Sequence, residues 1–317
     1  MITEFDITFR NPQFEILFLI IPLIFFLHFY FIIHVKRRAL KFGNFNAMKR
    51  VYTDTTITKN LTTLFFILLL TSLLIVSLID PSVWYKAPVT NSDYYIVLDS
   101  GASMNARDMD PDRFMAAKKT STEIVNNIKN SKIGFISFSG TILQNEPLTD
   151  DKSLVLNAIQ DSKIENTGTD IGLALVSAIQ GFTVFNSSKT IILLSDGQET
   201  AGTSLSNAIT QSKEKHIKII TIGVGTKEGG KFLDVPDAQG VLSHLDEESL
   251  MAISKATEST YLNLKKDYNI TTFMAKLNED NKAGYVEYNM RNSTLLAILV
   301  VLFIFWLLDN TRFRIFP

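Results

Sequence analysis

Oxygen-bearing side chains gather in three short stretches of this chain, spaced so that a fold could bring them together. Asp99, Ser100, Gly101, Ala102 and Ser103 follow the apolar run 94–98. Asn166, Thr167, Gly168, Thr169 and Asp170 form a second stretch of small residues, and Ser195, Asp196 and Gly197 follow another apolar run, 190–194. Carboxylate and hydroxyl oxygens are hard donors, so such a set suits Mg²⁺, or Mn²⁺ in its place, and suits little else. The chain has no cysteine, which excludes thiolate nucleophiles, disulfides and Cys-type zinc sites. Its four histidines, His28, His34, His216 and His244, are far apart and form no paired zinc-binding motif. No GxSxG motif is present and no histidine lies near the carboxylate loops, so a nucleophile with an orienting base is missing. A Mg²⁺-assisted phosphatase could use Asp99 as nucleophile, but these loops carry no basic residue to hold a phosphate. The plainer alternative is that Asp99, Thr169 and Asp196 cap helices and tie loops together through hydrogen bonds.

The elements that must position these residues are legible from the apolar pattern. The runs 94–98, 133–138, 190–194 and 217–224 are β-branched or aromatic, short, and apolar at nearly every position, as buried parallel strands are. Helical patterns lie between and after them at 111–128, with Asp110 as its cap, and at 150–160, 170–180, with Asp170 as its cap, and 204–215. A helix over 246–257, a strand over 259–264 and a helix over 268–280 complete the domain. Alternating strands and helices predict an α/β fold with a doubly wound, mostly parallel sheet, whose ligand site lies beyond the carboxyl ends of the strands. The connection 225–242 is rich in Gly, Asp and Pro and has no period; loops of this length are more often functional than incidental.

The ends of the chain differ from its middle. With 46% apolar residues and 23 Phe in 317 residues, part of the chain is expected in lipid. Residues 14–35, 61–79 and 294–308, the last extended by Asn292 and Ser293, are apolar enough to cross a hydrocarbon core of about 30 Å as helices. The first span is expected to be retained rather than cleaved, because its basic cluster follows the apolar run. The chain therefore divides into a membrane region, 1–80, a globular domain, 81–291, and a C-terminal span and tail, 292–317. Lys36, Arg37, Arg38, Lys41, Lys49, Arg50 and Lys59 face a single acid, Asp54, between the first two spans, and Arg312 and Arg314 follow the third. The excess of basic residues places that loop and the tail in the cytoplasm and the globular domain outside the cell membrane. A net charge of −1 gives no reason to expect nucleic acid.

The globular segment resembles a von Willebrand factor type A (VWA) domain, whose metal-ion-dependent adhesion site combines a D-x-S-x-S loop with a threonine and an aspartate from two later loops. Asp99 and Ser103 match that first loop, Thr169 the threonine and Asp196 the distal aspartate. Gly101 stands where the family has its first serine, so a bound Mg²⁺ would recruit a water there. The stretch from Phe9 to Phe14, the basic segment after the first span, a D-x-x-P-x-R stretch from Asp108 to Arg113 and the segment from Leu245 to Leu250 resemble the BatA-type aerotolerance proteins. The resemblance implies a binding module rather than an enzyme, in which the cation accepts an Asp or Glu from a partner protein. It also implies association with sibling VWA proteins and a MoxR-type AAA ATPase, and a role in assembling or maintaining envelope complexes. The competing expectation is a metal-free VWA scaffold.

Overall fold

The computed structural model describes residues 5–39, 55–88, 92–165, 167–182, 187–200, 205–231, 242–265, 269–280 and 283–312. Most of the basic segment between the first two spans (40–54), Asn166, the expected helix starts at Ser204 and Tyr268, and the tail beyond Arg312 lie outside the described residues. From the N-terminus, strand β1 (Phe5–Phe9), a 3-10 segment (Pro12–Leu19), helix α1 (Ile20–Ala39) and helix α2 (Thr55–Ile79) lead into β2 (Pro81–Pro88). There follow β3 (Ser92–Asp99), α3 (Arg113–Asn127), β4 (Ile133–Phe138), β5 (Ile142–Thr149), α4 (Lys152–Asp161), α5 (Ile171–Gly181) and β6 (Ser188–Ser195). Then come α6 (Leu205–Glu214), β7 (Lys218–Gly223), β8 (Gly230–Lys231), β9 (Leu242–Ser243), α7 (Glu247–Ala256), β10 (Tyr261–Asn263), α8 (Ile270–Asp280), β11 (Ala283–Asn289) and α9 (Arg291–Arg312). The chain forms two compact units, Met1–Tyr85 with Glu287–Pro317, and Lys86–Val286.

The first unit carries three helical stretches long and apolar enough to cross a membrane: Pro12–Phe31, Leu61–Ile79 and Arg291–Leu308. Their outward side chains are those that need lipid, with Phe26 75% and Leu296 63% exposed. Helix α2 stops at Ile79 because Asp80 turns to a φ of +56° and Pro81, which has no N–H to continue the ladder, opens β2. Strand β1 pairs antiparallel with β2, from Phe5 opposite Tyr85 to Phe9 opposite Pro81. The Trp84 indole donates to Thr8 Oγ1 at 2.9 Å, and Arg10 pairs with Glu287 at 2.7 Å. The sequence pattern gives little sign of this small sheet, whose strands adjoin the apolar helices along the chain.

In the second unit, a six-stranded sheet has the order β10-β7-β6-β3-β4-β5. All neighbours are parallel except β5, which runs antiparallel to β4. The sequence reading missed β5 because it is a half-exposed edge strand with Pro147 inside it, and edges tolerate both polar alternation and proline. Alternate residues of β3 feed two cores. Tyr94, Ile96 and Leu98 pack with Phe114 and Ile124 of α3, Ile159 of α4 and Phe273 of α8. Tyr95 and Val97 pack with Leu175 of α5, Ala208 of α6 and Leu250 of α7. The chain leaves β3 toward β4 and leaves β6 toward β7, so the winding reverses between β3 and β6. Crevices beyond the carboxyl ends of strands at such a reversal are where doubly wound sheets bind ligands.

Helix α3 begins two residues later than the sequence pattern suggests. The cap is Asp112, in extended conformation, whose side chain accepts the Met115 N–H at 2.7 Å; Asp110 caps nothing. The reason is tertiary: the Arg113 N–H is committed to the Ala106 carbonyl at 3.1 Å, which fixes where the helix starts. Asp170 caps α5 as its sequence position suggests, accepting the Leu173 N–H at 2.8 Å. Replacing an N-cap aspartate costs about 1 kcal/mol, whereas an exposed non-capping acid contributes within about 0.5 kcal/mol. Asp112→Ala should therefore lower the melting temperature of the full chain in detergent, and Asp110→Ala should leave it unchanged.

Candidate functional site

The site is built at the carboxyl ends of β3 and β6. Asp99, the last residue of β3, is fully buried, and both of its oxygens are held from within the fold. Oδ1 accepts the Gly101 N–H at 2.9 Å, and Oδ2 accepts the hydroxyl of Ser195, the last residue of β6, at 2.6 Å. Burial, and then the nearby charge of Asp196, push the Asp99 carboxyl up to about 7, because each disfavours the ionised form. The Ser100 and Ser137 hydroxyls pair at 2.7 Å beside it, joining β3 to β4.

Gly101 is extended, and the space above its Cα is already taken. A Cβ there would stand 2.4 Å from Thr169 Oγ1 and 3.2 Å from Asp99 Oδ1. A serine at 101 and the present threonine conformation are thus mutually exclusive, and the threonine hydroxyl leans into the place where the family pattern has a serine side chain. Thr169 is held there through its backbone, its N–H donating to Thr200 Oγ1 at 2.8 Å and its carbonyl accepting the Thr200 N–H at 3.1 Å. Ser103 lies in the 3-10 turn Ala102–Asn105, closed by a Met104 N–H to Gly101 carbonyl bond of 3.0 Å. Its hydroxyl is near enough to Asp196 to favour the carboxylate there, yet it is shielded from solvent and completes no hydrogen bond.

Asp196 is fully buried as well. Its Oδ2 accepts from Arg113 Nη1 at 2.9 Å and from Ser243 Oγ at 3.2 Å, and its Oδ1 accepts the Gln198 N–H at 3.2 Å. Burial raises its pKa above the ordinary value although the Arg113 charge opposes the shift. Arg113 was visible in the sequence only as the end of the D-x-x-P-x-R stretch. In the fold its guanidinium is completely buried and reaches the candidate site. Nε and Nη2 form a bidentate pair with Asp108, at 2.7 and 2.8 Å. The three loops themselves carry no basic residue, yet one reaches them in the fold. A residue fourteen positions after Asp99 enters from the start of α3, and no local sequence signal marks an arginine for complete burial.

Among the residues expected at the site, Asp99, Gly101 and Thr169 meet directly, while Ser103 and Asp196 join them from the adjoining loop and strand end. Asp99 and Asp196 do not cap helices: their oxygens are spent on loop amides, hydroxyls and a guanidinium. Glu199, three residues after the distal aspartate, is largely exposed, but partial burial raises its carboxyl above the ordinary value against a hydrogen bond from the Gly172 amide, so it is not simply a solvated loop acid.

The von Willebrand factor type A domain model matches residues 93–278. A UPF0353 protein of Nocardia farcinica is 26% identical over 272 residues, covering 78% of this chain and 80% of the relative. A UPF0353 protein of Mycobacterium leprae is 23% identical over 291 residues, covering 84% and 86%. Among solved structures, BatB from Bacteroides thetaiotaomicron superposes with a TM-score of 0.53 at 26% identity, over 59% of this chain and 96% of that one. An aerotolerance-related membrane protein from Bacteroides fragilis shares the fold, with a TM-score of 0.53 at 24% identity, over 59% and 97%. With more than half of its residues matched by the family model, and with three apolar helices outside that match, the chain belongs to the von Willebrand factor type A family and is a membrane protein of the BatA-like type.

Proposed function

We propose that this chain is a membrane-anchored recognition module, not an enzyme, whose VWA domain takes up Mg²⁺ or Mn²⁺ at the edge loops and uses it to capture a carboxylate of a partner protein. The observation that carries this reading is a solvent-shielded Ser103 hydroxyl without a hydrogen-bond partner, beside the buried carboxylates of Asp196, which pairs with a guanidinium, and Asp99, which has only an amide and a hydroxyl. A spare hydroxyl oxygen beside two buried carboxylates is a donor set that favours a hard cation. Asp99, Ser103 and Thr169 would hold it, with Asp196 in support. The cation would supply an electrophilic centre for an incoming Asp or Glu, and these neutral hydroxyls would leave its charge largely unquenched. The excess of basic residues between the first two apolar helices supports an extracytoplasmic position for the domain. By the likeness to Bat-type proteins, sibling VWA proteins and a MoxR-type AAA ATPase are the partner classes to test, and assembly or maintenance of membrane complexes is the process.

A second reading, a metal-free scaffold, is favoured by one specific observation. Arg113 already neutralises Asp196, and both Asp99 oxygens already have donors within the protein. Proton and cation compete for Asp99, and this separates the two readings. The unfolded carboxyl titrates near 3.9 and the folded one at about 7. Between those values the native state holds a proton that the unfolded state lacks, so metal-free stability falls as pH rises through that window.

Calorimetric titration of the detergent-solubilised full chain with Mn²⁺ should give saturable binding that weakens by about tenfold for each pH unit below about 7, as expected when one proton must leave. Asp99→Asn should abolish it. No binding at millimolar metal at pH 8 leaves the scaffold reading in place. In EDTA, the wild-type melting temperature should decline between pH 5 and pH 8 relative to Asp99→Asn, and the variant should be the more stable protein at pH 8. Parallel pH curves for the two proteins would contradict the assigned burial of that charge.

A further inference from the structure

The D-x-x-P-x-R stretch supplies no ligand in the cation reading, yet its two charged ends form a densely bonded side-chain cluster beside the site. Arg113 has five N–H donors and uses all of them. Nε and one Nη2 hydrogen go to Asp108, at 2.7 and 2.8 Å, and the other Nη2 hydrogen goes to the Ser243 carbonyl at 2.7 Å. The Nη1 hydrogens go to Asp196 Oδ2 at 2.9 Å and Ser243 Oγ at 2.7 Å. Asp108 is shared in turn: its Oδ2 also accepts the Thr226 N–H at 2.7 Å and the Thr226 hydroxyl at 2.9 Å. Burial alone would raise the Asp108 carboxyl, but the Arg113 bonds and charge hold it below the usual carboxylate range. Thr226 precedes the short antiparallel ribbon, and Ser243 lies in it, where Gly230 pairs with Ser243 and Lys231 with Leu242. One planar guanidinium thus ties the end of β6, the loop after β3 and both sides of this ribbon.

The backbone around it is shaped to admit the fork. Gly225 has a φ of +128°, and a Cβ there would lie 2.6 Å from Arg113 Nε. At Gly230 a Cβ would lie 2.8 Å from Ala106 Cβ and 3.0 Å from Asp108 Oδ1. These glycines open the connection after β7, which the sequence reading could mark only as long and aperiodic.

We infer that Arg113 is a positioning residue that couples the charge carried by Asp196 to the seating of the β8–β9 ribbon, so that the ribbon reports the state of the site. The physical ground is that a buried guanidinium must keep its charge balanced and its donors filled. When Asp196 gives its charge to another cation, Arg113 loses its anchor at the end of β6, and its bonds to Asp108 and Ser243 loosen with it. Both hold the ribbon, whose own backbone ladder is only two residues a side, so the change is felt there and not in the six-stranded sheet. The same coupling acts in reverse, and a partner seated on the ribbon alters the site. The inference deepens the cation reading and rests on it only where a metal supplies the perturbation.

Hydrogen exchange on the full chain in detergent tests it at named amides. Thr226 N–H is bonded to Asp108 and Leu245 N–H to the Thr226 carbonyl, at 2.7 and 3.1 Å. Asp196→Asn removes the charge with almost no change of shape. Exchange at these two amides should then quicken on the order of tenfold, within the usual range of coupling between sites, while the amides of Ile96, Val97 and Leu193 in the sheet stay as protected as in the wild type. Unchanged exchange at Thr226 and Leu245 overturns the coupling. If the sheet amides also lose protection, the variant has lost its fold, and Ser243→Ala, which severs one Arg113 bond at the ribbon, takes its place: a rise confined to the ribbon amides supports the coupling, and a uniform rise or none overturns it. Mn²⁺ added to the wild type, with binding read separately by electron paramagnetic resonance, should quicken the same two amides. Bound Mn²⁺ with unaltered ribbon exchange overturns the coupling, whereas no bound Mn²⁺ overturns the cation reading and leaves the substitutions to decide the coupling.

Discussion

Charge balance around one buried guanidinium organises the edge of the sheet where β3 and β6 end. Among the described residues, Arg113 is the cation paired with Asp196, and it is paired equally closely with Asp108. Asp99 receives no such partner at contact distance and is satisfied by an amide and a hydroxyl. The consequence is an edge with one guanidinium shared between two carboxylates and a third carboxyl, Asp99, whose ionised form burial and the nearby Asp196 charge disfavour. Taking ions out of water is expensive, and removing one partner of a buried pair costs more than the pair was worth, because the other is left uncompensated. The loops that carry these groups are therefore tied to each other more tightly than loops usually are.

The winding of the sheet supplies the rest. Reversal of direction between β3 and β6 opens a crevice, and the register that sets Leu98 opposite Leu194 places Asp99 and Ser195 side by side at its floor. Loops from β3 and from the start of α5 then meet above it, so that Gly101 and Thr169 interlock: the missing side chain at one position makes room for the hydroxyl at the other. The departure from the family's serine is thereby accommodated locally. Two hydrophobic layers, drawn alternately from β3, hold the strand from both faces and keep its last residue from moving.

The membrane-type unit follows a different logic. Its helices turn large apolar side chains outward, which only lipid makes favourable, and the strands that adjoin them are tied by a tryptophan-to-threonine bond and an Arg10–Glu287 pair. Helix α2 runs directly into β2, and β11 runs directly into α9, so strand and span are continuous at both places.

The sequence by itself determined the layout that depends on local pattern. Apolar runs of five to eight residues at 94–98, 133–138, 190–194 and 217–224 meant strands buried on both faces, and the long apolar stretches meant helices suited to lipid. Alternation of strand and helix meant a parallel sheet with its site at the carboxyl edge, and the spacing of Asp99, Ser103, Thr169 and Asp196 marked which loops to watch. Side-chain periodicity survives in the one-dimensional chain, so these features needed no structure. Partners distant along the chain leave no such trace. The edge strand β5 alternates too weakly to stand out, the start of α3 is set by a bond to Ala106, and the room that Gly101 leaves for the Thr169 hydroxyl shows only when the two loops are brought together. Arg113 stood out in the sequence only as the end of the D-x-x-P-x-R stretch, because whether a guanidinium is exposed or enclosed depends on Asp108, Asp196 and Ser243, which only the folded chain brings around it.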